Sequence, residues 1–552
     1  MVPWQACLHL GSRTRPQLAS DHVSEGAVGL QAVSQLPAMD TAVESTLAAG
    51  LRHPDVALRD QATTAVLGMA EWPCYDSLLT AAALPALAGA LQDSAQEPQD
   101  PRAAWMLRQL AQHTEIRPLV AAKALPALVR VAADGERSAS WPMVAATLQL
   151  FAATPDLQWD VTKRGLPAMV SLSGNTDSLA ARLSAAAALC DVARVPRLRH
   201  RIAAAALPTL VGLLRDTSIP QGSCAAAEAL HQLAHERRLR QRMAPHVLPP
   251  LVSLLEDGGY PAGRRTAAVT LSALAEDPQL RQQIAGLALP ALSAFVGQDR
   301  RAPGVRQAVE VLWELAQCPE LRAAVADAAL PVLVDLLEAT GCSRAKHWAA
   351  GVLRHLAAAP ELTARIADTA LPALVSCLQD TGDPSGRFHA AAVLQQLAGA
   401  AEHRQCVFDA ALLDLISLLD DVASPRGRQC AANILQEMAR TPELREGIAL
   451  AALPGLIRLM AEPTHLSGRQ SAADTIWQLA DCPALGRMIL DSAFAAFASL
   501  VEATPNRKGK YRVAATLRKL GGDPELSRII SDAAHPALQK VLPRRMRAAV
   551  DD

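Results

Sequence analysis

Asp327-Ala-Ala-Leu-Pro-Val-Leu-Val-Asp-Leu-Leu-Glu338 returns along the chain as Thr369-Ala-Leu-Pro-Ala-Leu-Val-Ser-Cys-Leu378 and as Ala205-Ala-Leu-Pro-Thr-Leu-Val-Gly-Leu-Leu214. Its proline stands at Pro85, Pro126, Pro167, Pro208, Pro249, Pro290, Pro331, Pro372, Pro454 and Pro536. Neighbouring prolines are 41 residues apart (126 − 85), and the gaps of 82 (454 − 372, 536 − 454) are two periods. Leu413 and Ala495 fill the skipped slots, and the same ruler reaches Glu44 at the other end. A register held without insertion from Glu44 to Pro536 means stacked units, each touching only its neighbours, whatever the chain length.

Within one unit, Pro319-Glu-Leu-Arg-Ala-Ala-Val-Ala-Asp327 reads as a short amphipathic helix, with Leu321 and Val325 four residues apart. Pro331 is expected to open a middle helix at its first turn, where a missing N–H costs nothing. Leu333, Val334, Leu336 and Leu337 supply that helix's apolar face. Ala339-Thr-Gly-Cys-Ser343 reads as a turn. A third helix over about Lys346 to Ala358 then carries Ala349, Ala350, Leu353, Leu356 and Ala357 on one side. No helix of the unit hides its apolar stripe alone, so stacking is obligatory.

The pattern Pro-Glu-Leu-Arg…Ala-Leu-Pro-x-Leu-Val-x-Leu-Leu, followed by Arg-x-x-Ala-Ala-x-x-Leu-x-x-Leu-Ala, resembles the armadillo repeat. The resemblance covers about twelve units. It implies an all-α fold, a right-handed superhelical α-solenoid of three-helix repeats, over residues 41–545. Residues 1–40 then form an N-terminal tail and residues 546–552 a C-terminal one. HEAT repeats, with two helices per unit, are the nearest rival. The sequence departs from the armadillo pattern in one respect: Ala328-Ala329 stands where armadillo repeats often carry two glycines before the proline.

Half the residues are hydrophobic but only 3% are aromatic, so the core is expected to be Leu and Ala. Net charge is −1, which selects no partner by itself. Ten scattered cysteines contain no Cys-x-x-Cys and read as buried free thiols of a reducing compartment, cytoplasmic or nuclear. Arg13 and Arg15, with no acid in residues 1–20, are too little to make a transit peptide without an amphipathic helix. The most apolar stretch, Met488 to Val501, is short and carries Asp491.

The resemblance implies a concave groove lined by third helices. At 100° per residue, positions +18, +19, +22, +25 and +26 from the proline share the core side, and +16, +20, +24 and +27 lie opposite. The +20 row holds Trp105, Glu228, Glu310, Asn433 and Asp474. The +24 row holds Gln109, Asp191, Gln232, Glu314, His355, Gln396, Glu437, Gln478 and Lys519. These residues are the candidate groove for an extended protein segment, and their excess of acids favours one bearing Lys or Arg. Nuclear-import adaptors repeat a Trp and an Asn four apart down the groove; here Trp105 with Gln109 is the one approximate pair. Trp313 and Trp477 share position +23, on the flank, as partner anchors or inter-repeat packing.

A basic column at +15 (Arg59, Arg182, Arg264, Lys346, Arg387, Arg428, Arg469, Lys510) shares its sector with the core. It is expected to reach carbonyl ends of adjacent helices rather than phosphates. Arg237, Arg238, Arg240 and Arg242 form a local basic patch on a short helix. Arg507, Lys508, Lys510, Arg512 and Arg518 form a candidate patch for an acidic partner. No Gly-rich phosphate loop, nucleophile elbow or zinc-protease motif occurs, and His235, His347, His355 and His389 read as single groove or surface residues. The expected function is a non-enzymatic, monomeric protein-binding scaffold that needs no cofactor and no metal. The alternative is a basic-patch binder of nucleic acid or of an acidic membrane surface.

Overall fold

The computed structural model describes residues 37–532, apart from short stretches at 54, 72–75, 94–100, 135–137, 176, 217, 339–342, 463–465 and 504–506. The turn expected at 339–343, the final unit at Pro536 and the tail at 546–552 lie wholly or almost wholly outside the described residues. Every regular element among the described residues is helical. The first helix, Pro37–Leu51, begins slightly before the expected boundary at 41 and carries Glu44 in its middle.

The chain divides into two compact units, residues 1–277 and 278–552. In each, two kinds of helix alternate. A long helix is followed by a return helix, and each kind packs against the next of its kind. In the first unit the long helices Arg117–Ala133, Gln158–Gly174, Arg199–Arg215 and Arg237–Glu256 form one layer. The return helices Arg102–Gln112, Trp141–Ala152, Leu179–Ala193, Pro220–Ala234 and Pro261–Ala275 form the other. The second unit repeats the scheme, with long helices from Arg281–Gln298 to Gly486–Ala503 and return helices from Val305–Ala316 to Arg507–Leu520. The all-α solenoid is therefore the architecture of both units, built on a Leu and Ala core.

The three-helix unit needs a correction. Pro331 does not open a helix: it lies inside the continuous helix Arg322–Glu338, which only a single 3-10 turn, Pro319–Leu321, precedes. Pro126, Pro167, Pro208, Pro290, Pro372 and Pro454 likewise lie inside continuous helices. Each repeat is therefore one long helix followed by one return helix. Glycine costs a helix interior about 1 kcal/mol relative to alanine, so Ala328-Ala329 keeps intact a junction that two glycines would weaken by about 2 kcal/mol. An interior proline costs about 3 kcal/mol, and its placement limits that cost. Pro331, Pro372 and Pro454 all sit on the exposed face, while Ala329, Leu330 and Leu333 beside Pro331 are buried. The carbonyl that loses its amide thus faces water or a neighbour. Lys163 O, four residues before Pro167, accepts from Arg201 Nη2 of the next long helix at 3.1 Å. Before Pro85 the chain takes a π-helical turn, Leu79–Ala83, another way around the missing N–H.

The helix Gly486–Ala503 belongs to a stretch, Pro483–Glu502, that is apolar and long enough to cross a bilayer by length and composition, against the expectation that no such run exists. More than half of that stretch is buried in the fold, where the helix packs against Arg445–Ala461 and Arg507–Leu520. It is a core helix of the stack.

Candidate functional site

Two columns of donors hold the layers in register, and they decide which surface is left for a partner. The +15 column does what its position suggests. Arg264 Nε donates to Leu255 O (3.1 Å), Arg387 Nε to Leu378 O, Arg428 Nε to Leu419 O and Arg469 Nε to Met460 O (each 2.7 Å). Each acceptor ends the long helix of the same repeat, where unsatisfied carbonyls concentrate negative charge. Where the slot is not basic the bond persists: Trp141 Nε1 donates to Val131 O and Ser223 Oγ to Leu213 O. Three of the arginines also reach an acid of the following repeat: Arg182–Asp216 (2.9 Å), Arg387–Asp421 and Arg428–Glu462. Residue exposures of 9% or less for Arg182, Arg264, Arg387, Arg428 and Arg469 take these five out of contact with any nucleic acid.

A second column, nine residues before the proline slot, was not assigned from the sequence. Arg117, Gln158, Arg199, Arg322, Arg404 and Arg445 donate to Ala111, Ala152, Ala193, Ala316, Ala398 and Ala439, carbonyls at the ends of the preceding return helices. Arg240 makes the same bond to Ala234 O and pairs with Glu276, so the basic patch around it is partly consumed. The signal was the Arg that recurs nine residues before the proline slot, within Pro-x-Leu-Arg at Arg199, Arg281, Arg322 and Arg445.

The candidate groove residues all lie on return helices. In the first unit Trp105 is exposed, and Gln109, Asp191, Glu228 and Gln232 are half-buried. Arg194 ties two rows together, at 3.4 Å from Asp191 and 2.9 Å from Glu228. Burial raises the Asp191 carboxyl pKa, with Arg194 opposing and Glu228 adding to the rise. Burial also pushes the neighbouring Cys190 thiol up to about 12. Glu228, His231 and Gln232 line a cleft of about 410 Å³ with Cys224 of the same helix and Arg265 and Thr266 of the next return helix.

In the second unit most of the row's charge is already matched within the protein. Glu310 lies 3.7 Å from Arg306, Glu314 pairs with Arg281, Glu437 lies 2.6 Å from Arg440, and Asp474 lies 2.6 Å from Arg512. Lys519 pairs with Asp481 and lies over the Trp477 ring at 3.9 Å. Gln396 is exposed; Asn433 and Gln478 are half-buried. Of the candidate acidic-partner patch, Arg512 is held by Asp474 and lies 4.7 Å from the Trp477 ring, Arg518 is exposed and Lys510 is half-buried. Arg507 and Lys508 open the same helix, and their side chains lie outside the described residues.

Both flank tryptophans pack between repeats. Trp313 meets Trp348 edge-on at 5.2 Å and His355 at 5.7 Å, over a space that Gly351 leaves open: a Cβ there would lie 3.3 Å from the indole. The histidines do not stand singly. His347 and His389 come together at 4.7 Å, and His355 joins the same cluster through Trp313. Burial, then Arg354 and Arg322, depress the His355 pKa to about 4. Burial, then His347, Arg354 and His355, depress that of His389 to about 3.

No protein-family model and no curated protein matches the chain. Among solved structures it is similar to an engineered protein from the Northeast Structural Genomics Consortium, at 23% identity over 71% of this chain and 98% of that one, with a TM-score of 0.61. It is also similar to a chain from a structure of the interaction between cadherin and beta-catenin, an armadillo protein. That match has 12% identity, covers 92% of this chain and 98% of that one, and has a TM-score of 0.59. At these identities the likeness speaks for the fold alone, a stack of helical repeats.

Proposed function

We propose that the chain is a non-enzymatic scaffold that binds an extended segment of another protein across its return helices. The observation that carries this is the row itself. Within each unit consecutive return helices pack side by side about 10 Å apart, and most of them carry a polar residue at the +20 or +24 position. Such a row can hydrogen-bond the backbone of an extended chain, and a preformed surface lowers the ordering cost of binding. The fold likeness to a structure of cadherin with beta-catenin supports the class of partner. The internal ion pairs refine the expected ligand. Acids already matched by Arg194, Arg281, Arg440 and Arg512 exert little pull on a basic segment, so polar and aromatic contacts carry more of the binding.

The test is affinity capture with the full chain and the triple variant Trp105→Ala, Glu228→Lys, Gln396→Glu. These side chains are exposed or about half so, which spares the fold, whereas reversing Glu314 would strand Arg281. Loss of specific partners from the variant, with unchanged circular dichroism, is the expected result. A variant that keeps every partner overturns the reading.

A further inference from the structure

A cleft of about 600 Å³ in the second unit is lined by His347, Arg354, Ser385, Phe388, His389 and Arg426, with Ser424 and three small or proline residues completing the wall. It differs from the rest of the surface in its charge. Elsewhere arginines meet carboxylates, as Arg387, Arg428 and Arg458 do. Here the described lining contains two guanidinium groups, two imidazoles and no acid. The carboxylates of the flanking turns are occupied. Asp383 accepts from Gly386 N at 2.9 Å, and Asp421 pairs with Arg387 and accepts from Ala423 N at 3.0 Å.

The backbone adds to the same field. The cleft opens onto the N-terminal ends of two return helices, Pro384–Gly399 and Pro425–Met438, whose first residues are part of its wall. A helix N-terminus carries about half a positive charge; that of Pro384–Gly399 is already capped by Asp383, whereas that of Pro425–Met438 has no side-chain cap. His347 Nδ1 and His389 Nδ1 are buried without a hydrogen-bond partner. His389 is held neutral by this surrounding, with Arg354 among the causes. Cations, helix ends and orphaned ring nitrogens converge where the described lining holds no acid, and Phe388 gives one wall an aromatic face.

We propose that this cleft is a binding site for a phosphomonoester dianion, held by Arg354 from the last turn of Ser343–Ala357 and by Arg426 at the start of Pro425–Met438. Two guanidinium groups and the exposed Ser385 hydroxyl suit a tetrahedral dianion, and the cleft has room for an organic group beside Phe388. The inference goes beyond the groove reading and does not need it.

The experiment is calorimetric titration of the full chain with phenyl phosphate at low ionic strength. Saturable one-to-one binding is expected, weakened about tenfold or more in Arg354→Gln and in the exposed-site variant Arg426→Gln. Arg487→Gln, which removes an exposed arginine already paired with Asp491, should bind as the unchanged protein does. A phosphoserine peptide binding more tightly than phenyl phosphate assigns the phosphate to a protein side chain, and the reverse order assigns it to a small ester. Absence of saturable binding, or equal affinity in the folded Arg426→Gln variant, overturns the proposal. Should Arg354→Gln not fold, Arg426→Gln alone decides it.

Discussion

Replacing Arg428 by Met removes one rung of the donor ladder with little change in apolar volume. Arg428 is 4% exposed, and its Nε donates to Leu419 O at 2.7 Å while its terminal nitrogen pairs with Glu462. Stranding a buried carbonyl costs about 1–3 kcal/mol. Glu462 is 29% exposed in the pair and can turn to water, so its share is small. The expected loss is about 2 kcal/mol, which corresponds to a roughly thirtyfold rise in local opening. Arg458→Met is the comparison. Its pair with Asp420 is 58% and 45% exposed, and pairs of that kind contribute about 0–1 kcal/mol. Repeat arrays do not melt in one step, so the readout should be local. Hydrogen exchange followed by mass spectrometry over Arg404–Leu419 and Pro425–Met438 measures it. If Arg428→Met accelerates exchange there no more than Arg458→Met accelerates it around its own helix, the ladder is not a stabilising element.

Pro331→Ala should raise stability by about 1–2 kcal/mol, because it restores an amide inside a continuous helix; the chemical-denaturation midpoint reads it, and a lower midpoint contradicts the continuous helix. His355 and His389 have folded pKa values of about 4 and about 3 against an ordinary 6.5, so the unfolded chain takes up protons first as pH falls. Stability is therefore full above about 6.5 and falls as pH drops from there towards 3, and His389→Leu should flatten that profile in urea titrations. Burial pushes the thiols of Cys190, Cys377 and Cys430 up to about 12, 11 and 11, so all three should resist iodoacetamide in the folded protein at pH 8 and react after unfolding, as peptide mass spectrometry shows.

The 41-residue spacing was enough to read the stacking, the apolar faces and the carbonyl-reaching role of the +15 column, because each follows from side-chain direction on a regular helix. The helix boundary at the proline was misread because Pro at a first turn is the commoner arrangement. The two alanines before Pro331, and an exposed outer face, tip the balance towards a continuous helix. The acid surplus of the groove rows was legible, but its neutralisation was not. Arg194–Glu228, Arg281–Glu314 and Arg512–Asp474 span 34, 33 and 38 residues (512 − 474), separations that only the stacking geometry turns into contact. The histidine cluster escaped notice for the same reason. His347 and His389 are 42 residues apart (389 − 347), one repeat plus one step along the helix. Position in the period, rather than local sequence, brings them together.

The continuity of the long helices through their prolines can be measured directly by residue-resolved hydrogen exchange across Arg322–Glu338. Slow exchange that runs unbroken from Val325 to Leu337, apart from Pro331 itself, is the predicted result. Fast exchange confined to Ala328, Ala329 and Leu330, with protection on both sides, would show two separate helices and contradict the two-helix repeat.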